Sequence, residues 1–159
     1  TGRRFYHTEL GENFRMTNLQ AAVGVAQLEQ IERFVKIKRE MAKKYSEGLA
    51  GIPGIKLPVE KPGVKNVYWM YAIELAEESG FDADRLAAYL AEQGIATRPF
   101  FLGLHEQPAF HDMGLFVGER YPVAERIARQ GLYLPSGLTI TDEQISVVIT
   151  AIQEALCHE

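Results

Sequence analysis

Gly11-Glu-Asn-Phe-Arg-Met-Thr-Asn-Leu-Gln-Ala-Ala-Val-Gly-Val-Ala-Gln-Leu28 joins an irregular turn to the start of a helix. The turn, up to Met16, carries an amide in Asn13 and a guanidinium in Arg15. Thr17-Asn-Leu-Gln20 then reads as a capping box, in which the Thr17 hydroxyl takes the backbone N–H of Gln20 and the Gln20 side chain returns to Thr17. Behind it, Leu19, Ala22, Val23, Ala26 and Leu28 make a narrow stripe. Ala21, Ala22, Gly24 and Ala26 are small enough for another backbone to approach closely. Polar groups thus stand in front of a capped helix start, whose free N–H groups and positive dipole end suit an anion.

The helical pattern continues almost to Gly51. Ile37, Met41, Tyr45 and Leu49 repeat every four residues, and Lys36, Lys38, Arg39, Lys43 and Lys44 share the other faces with Glu40 and Glu47. Interleaved acids make this a solvated face rather than a nucleic-acid stripe. The apolar stripe shifts between Gln30 and Phe34, which predicts a bend or break there. Gly48, Gly51 and Pro53 end the helix.

Beyond it, Ile55 to Pro58 reads as a short extended piece. Val67 to Leu75 reads as the strongest strand, with Val67, Trp69, Tyr71, Ile73 and Leu75 alternating against Tyr68, Met70, Ala72 and Glu74. Both sets are largely apolar, so a central strand covered on both faces is expected, closed by the acidic turn Glu77-Glu-Ser-Gly80. Asp82 caps a helix to Gln93 that turns Leu86, Tyr89 and Leu90 inward, with Gly94 as its left-handed stop. Ile95 to Arg98 reads as a strand cut by Pro99. Pro122 opens a short helix, Leu132 to Pro135 a last strand, and Thr141-Asp-Glu-Gln144 a second capping box. Ile145, Val148, Ile149, Ile152 and Leu156 give the terminal helix its buried face. The expected fold is α+β: a long N-terminal helix, then a small sheet covered by helices on one side. The expected division is 1–50, pre-helix loop and long connecting helix, and 51–159, a small α+β domain.

Composition narrows the function classes. A formal net charge of −4 gives no reason to expect nucleic acid or an anionic membrane as partner. No apolar run approaches the ~20 residues of a membrane span. Cys157 is the lone cysteine, so the chain has no internal disulfide and no thiolate cluster, and it reads as an incidental helix residue in a reducing, cytoplasmic setting. His105 and His111 stand six apart without the helical spacing of a zinc pair, so no metal site is expected. Neither a Gly-rich phosphate loop after a strand nor a nucleophile elbow is present.

Gly-x-Asn-x-Arg-Met-Thr-x-Leu-Gln-Ala-Ala-x-Gly-x-x-Gln-Leu resembles the segment that follows the cofactor lysine in the DegT/DnrJ/StrS sugar aminotransferases. The resemblance continues through Gly94-Ile-Ala-Thr-Arg-Pro-Phe-Phe-Leu-Gly-Leu-His105 and Leu132-Tyr-Leu-Pro-Ser136 to the final helix. It implies the small C-terminal domain of a fold-type I aminotransferase, with pyridoxal phosphate as cofactor. A nucleotide-linked keto sugar and an amino-acid donor would be its substrates, and a homodimer its assembly. It also implies that Asn13 reaches the cofactor phosphate of the neighbouring subunit, and that the loop carrying Arg98 and His105 lies at the sugar-nucleotide site.

Arg15 serves either substrate or a buried ion pair that holds the turn. On that loop His105 suits donation to a sugar hydroxyl or diphosphate, although a histidine taken alone more often caps or packs. The tyrosine frequent before this histidine in the family is replaced by Phe100 and Phe101, which removes a phenol hydrogen bond. The lysines, on a charged helix and a polar loop, offer no buried amine for a Schiff base, so the chain by itself is expected to be inactive. The alternative from another class is a non-catalytic α+β binding or dimerisation module. Arg3 and Arg4, beside Phe5, Tyr6 and His7, read as a solvated terminus or as part of a phosphate-bearing site.

Overall fold

The computed structural model describes residues 12–76 and 80–157. The readings of Arg3 to His7 and of the turn Glu77 to Ser79 fall outside the described residues, as does the side chain of Cys157.

The first helix, α1 (Asn18–Leu28), begins as its sequence demands. Gln20 N donates to the Thr17 hydroxyl at 3.3 Å and Thr17 N to Gln20 Oε1 at 2.9 Å. The helix stops at a turn over Glu29 and Gln30, and α2 (Ile31–Leu49) starts anew, so the shift of apolar stripe marks a true break. Compact packing divides the chain between Arg33 and Phe34. In the first unit α1 buries no residue, and Leu19, Val23 and Leu28 stand exposed. In the second unit α2 buries Met41, Ala42, Tyr45 and Leu49, the face given by its fourfold spacing.

The second unit is built on a four-stranded antiparallel sheet of β1 (Ile55–Lys56), β2 (Tyr71–Leu75), β3 (Arg98–Pro99) and β4 (Gly131–Leu134), in the order β1-β2-β4-β3. Alternation along β2 and β4 sends Tyr71, Ile73, Leu75, Leu132 and Leu134 to one buried face. That face joins one core with α2, with Leu86 and Leu90 of α3 (Ala83–Glu92), and with Ile145, Val148 and Ile152 of α6 (Asp142–Cys157). Tyr45 stacks on Tyr71 at 5.0 Å, and its buried hydroxyl donates to the Pro135 carbonyl at 2.9 Å. Asp82 caps α3, Gly94 follows it at φ +74°, and both hydrogen bonds of the Thr141–Gln144 box are made.

Three expectations are corrected. The central strand begins at Tyr71, because Val67 to Met70 are drawn out of the sheet by the Asn66 side chain and by bonds from Arg39 and Lys38 of α2. The Asn66 side chain accepts Tyr68 N at 2.9 Å, and Tyr68 sits at φ +46°. The edge strand is Arg98–Pro99 rather than Ile95 to Arg98; Pro99 is tolerated there because an edge has spare positions without a ladder N–H. The helices do not keep to one side of the sheet. Glu74, on the second face, pairs with Arg126 of α5 (Pro122–Gln130), so α5 covers part of that face. Between β3 and α5 lie a 3₁₀ turn (Leu104–Glu106) and the short α4 (Pro108–Asp112), which give structure to the long loop.

Among the described residues no helix is long and apolar enough to cross a membrane, and no group of three His, Cys, Asp or Glu side chains could hold a metal ion.

Candidate functional site

In the pre-helix turn the Asn13 carboxamide oxygen accepts Arg15 N at 3.0 Å. This short loop turns the polypeptide into the capped helix and leaves the amide NH₂ of Asn13 available as a donor. Asn13 and Arg15 are exposed. Arg15 makes no ion pair among the described residues.

In the second unit, Arg98 lines a cleft of about 370 Å³ with Trp69, Thr97, Tyr133 and Ser136. Its guanidinium is exposed and has no hydrogen-bond or ion-pair partner among the described residues. The walls of the cleft are tied from below. Ser136 Oγ accepts Tyr71 N at 2.9 Å and donates to the Leu134 carbonyl at 2.5 Å, holding the turn after β4. Lys38 of α2 donates to the carbonyl of Trp69 at 2.9 Å and to that of Ser136. No lysine was expected to be buried; Lys38 is half-buried, and desolvation lowers its pKa. Its ammonium is committed to two carbonyls, both of residues that line the cleft.

Next to the cleft, Phe100 stacks on Tyr133 with centroids 4.3 Å apart and ring planes at 6°. The residue that admits Phe100 is Gly131: a Cβ there would lie 2.5 Å from Ile127 O and 2.6 Å from Phe100 Cε2. Phe101, 70% exposed, tilts towards Tyr133 at 6.0 Å.

His105 belongs to a different cavity. It is 7% exposed, with Nε2 3.3 Å from Glu125 Oε1 and its Nδ1 edge packed against Gly103. Glu125 is 9% exposed and accepts from Arg120 at 2.8 to 3.1 Å and from Tyr121 N at 2.8 Å. The Arg120 guanidinium, helped by that backbone N–H, holds the Glu125 carboxyl down at about 2. Arg129 pairs with Glu106 and donates to the Glu125 carbonyl at 2.8 Å, and His111 Nε2 lies 2.6 Å from the His105 carbonyl. These groups line a cavity of about 400 Å³.

Of the residues singled out in the sequence, Asn13 and Arg15 therefore share one turn, while Arg98 and His105 open on separate cavities. Trp69, in an alternating apolar run that reads as core, and Tyr133, in a brief strand, carry no sequence signal of a binding role. Glu125 carries a weak one, as an acid in the first turn of a Pro-initiated helix.

The DegT/DnrJ/EryC1/StrS aminotransferase family model matches residues 1–153. The chain is 34% identical to GDP-perosamine synthase of Vibrio cholerae, over 96% of this chain and 41% of that protein. Its fold matches S. venezuelae DesV, solved in complex with a ketimine intermediate, with a TM-score of 0.78 at 31% identity, covering 97% of this chain and 40% of that one. DesI, solved in the presence of its TDP-sugar product, matches with a TM-score of 0.76 at 26% identity, over 89% and 36% of the two chains. The chain thus spans about two fifths of the length of the relatives it matches.

Proposed function

We infer the function from a membership that the match over residues 1–153 carries: the chain belongs to the DegT/DnrJ/EryC1/StrS aminotransferase family. We propose that the complete protein is an aminotransferase that moves an amino group from an amino acid to a keto sugar carried on a nucleotide. In this reading it uses pyridoxal phosphate and works in the cytoplasm as a homodimer. Residues 1–50 supply the cofactor and substrate loop with its connecting helix, and residues 51–159 the small C-terminal domain. The relatives support the substrate class, being a GDP-perosamine synthase and a protein solved with a TDP-sugar product.

The observation that carries the reading is the pre-helix turn. Asn13 spends its amide oxygen on Arg15 N, and its NH₂ stays available beside an exposed guanidinium ahead of a capped helix. Two donors of that kind fit phosphate oxygens, with Asn13 assigned to the cofactor phosphate and Arg15 to the substrate. The lysine end of the cofactor does not fit this chain. Lys38 is tied to two carbonyls and the other lysines are exposed, so none offers a free, desolvated amine. When bound, pyridoxal phosphate supplies the carbonyl carbon on which an amino group passes between donor and acceptor. This chain's part is to bind and orient. Asn13 fixes the phosphate end, Arg98 takes an anionic oxygen of the substrate, and His105 serves the substrate loop from below, as the buried partner of Glu125.

The dimer is tested by complementation in the complete enzyme. Asn13→Ala removes a charge-assisted bond worth about 1.5–3 kcal/mol, so pyridoxal phosphate affinity should fall roughly tenfold to a hundredfold. Mixed with a variant lacking the cofactor lysine, it should regain activity, because one site of each heterodimer then holds both residues. Heterodimers that form without regaining activity would show that Asn13 acts within its own subunit.

A further inference from the structure

The cleft beside Arg98 has an aromatic wall that the fold itself does not need. Trp69 is 64% exposed, although its position in the sequence continues the alternation that buries Tyr71, Ile73 and Leu75. Its departure from that face is enforced on both sides. Before it, Tyr68 is held at φ +46°, a conformation that bulky residues rarely adopt and that surrounding contacts must impose. Those contacts are on hand: Asn66 Oδ1 accepts Tyr68 N, and Arg39 donates to the Asn66 carbonyl at 2.6 Å. Arg39 is itself fixed on both oxygens of Glu60, at 2.7 and 3.0 Å. At Trp69 itself, the carbonyl takes the Lys38 ammonium. Strain and a half-buried lysine are thus both spent on holding one exposed indole beside the cleft, and strain of this kind gathers at ligand-binding positions.

The chemistry of the cleft selects a ligand class. Trp69 and Tyr133 line the cleft with aromatic rings, Tyr133 with one face already stacked on Phe100, and Arg98 brings a guanidinium without a partner among the described residues. A pyranose ring carries C–H bonds of slight positive charge on its face, which match the negative face of an indole. A planar guanidinium takes phosphate oxygens in pairs. We propose that Trp69 is the platform on which the sugar ring of the nucleotide-sugar substrate lies, with Arg98 on its phosphate, so that Trp69 determines sugar affinity. This rests on the substrate class proposed above.

The test is calorimetric binding to the complete protein, with GDP, dTDP, GDP-mannose and dTDP-glucose as probes. In the wild type, at least one sugar conjugate should bind more tightly than its parent nucleoside diphosphate. Trp69→Leu should weaken that conjugate about fivefold to tenfold and leave the parent nucleotide within a factor of about two. Trp69→Phe, which keeps a flat face, should retain most of the sugar affinity. An exposed position makes both variants compatible with folding, and unchanged thermal midpoints would establish that. Equal weakening of conjugate and nucleotide, or no weakening of either, overturns the platform while leaving the substrate class intact. A wild type that binds none of the four probes overturns both.

Discussion

Gly131→Ala would test how the aromatic wall is assembled. Gly131 sits at φ −91°, so alanine meets no backbone penalty and the effect comes from space alone. The added Cβ would lie 2.5 Å from Ile127 O, 2.6 Å from Phe100 Cε2, and closer still to Phe100 Cδ2. Carbon atoms prefer separations of about 3.5–4.0 Å, so the ring must retreat by roughly 1 Å. Phe100 has little room to do so, being stacked on Tyr133 at 4.3 Å. Ile127 O cannot yield easily either, because it accepts the Gly131 N–H at the junction of α5 and β4. Overpacking of this kind costs about 1–3 kcal/mol, and the stiffer unfolded chain of the alanine variant offsets about 0.4–1 of it. A net loss of up to about 2.6 kcal/mol is expected, read as a lower denaturant midpoint with unchanged slope. Repeating the substitution in a Phe100→Leu background should shrink the loss, since the flat ring edge is gone and the two sites share one contact. Equal losses in both backgrounds would refute the collision.

Glu125 predicts an acid limb. Its carboxyl titrates at about 2 in the folded protein against an ordinary 4.5, so the unfolded chain binds the proton first as pH falls. The stability it contributes is therefore full above about 4.5 and drains away towards about 2. The gap in denaturant midpoint between wild type and Glu125→Gln should be present at neutral pH and close near pH 2; a gap independent of pH would exclude the charged pair with Arg120 as its source. Thr17→Ala should cost α1 about 0.5–2 kcal/mol through loss of the cap. Hydrogen exchange of the Gln20 and Ala21 amides reports on it, and protection equal to wild type would show that the hydroxyl does not cap the helix.

Much of this protein is determined by neighbours in sequence. The capping boxes at Thr17 and Thr141, the Asp82 cap, the left-handed Gly94 and the fourfold repeat of α2 each involve residues within a turn or two of one another. Their physics is local, so the string of residues states it directly. The family resemblance is legible for the same reason, since it lies in contiguous motifs such as Gly11 to Leu28. What only the tertiary structure decides are contacts between distant residues whose local signals point another way. Trp69 alternates like a strand residue, yet the bonds from Arg39 to Asn66 and from Lys38 to its own carbonyl remove it from the sheet. His105 looks like a loop ligand, yet Glu125, twenty positions on, meets its ring nitrogen in a buried pair. Arg98 looks like any strand-end cation until the fold shows it without a partner among the described residues, at the edge of a cleft. Burial and charge pairing are properties of three-dimensional neighbours. A residue's chemistry can be read from the chain, but whether that chemistry is satisfied inside the fold or left for a ligand is fixed only when the sheet and helices have closed around it.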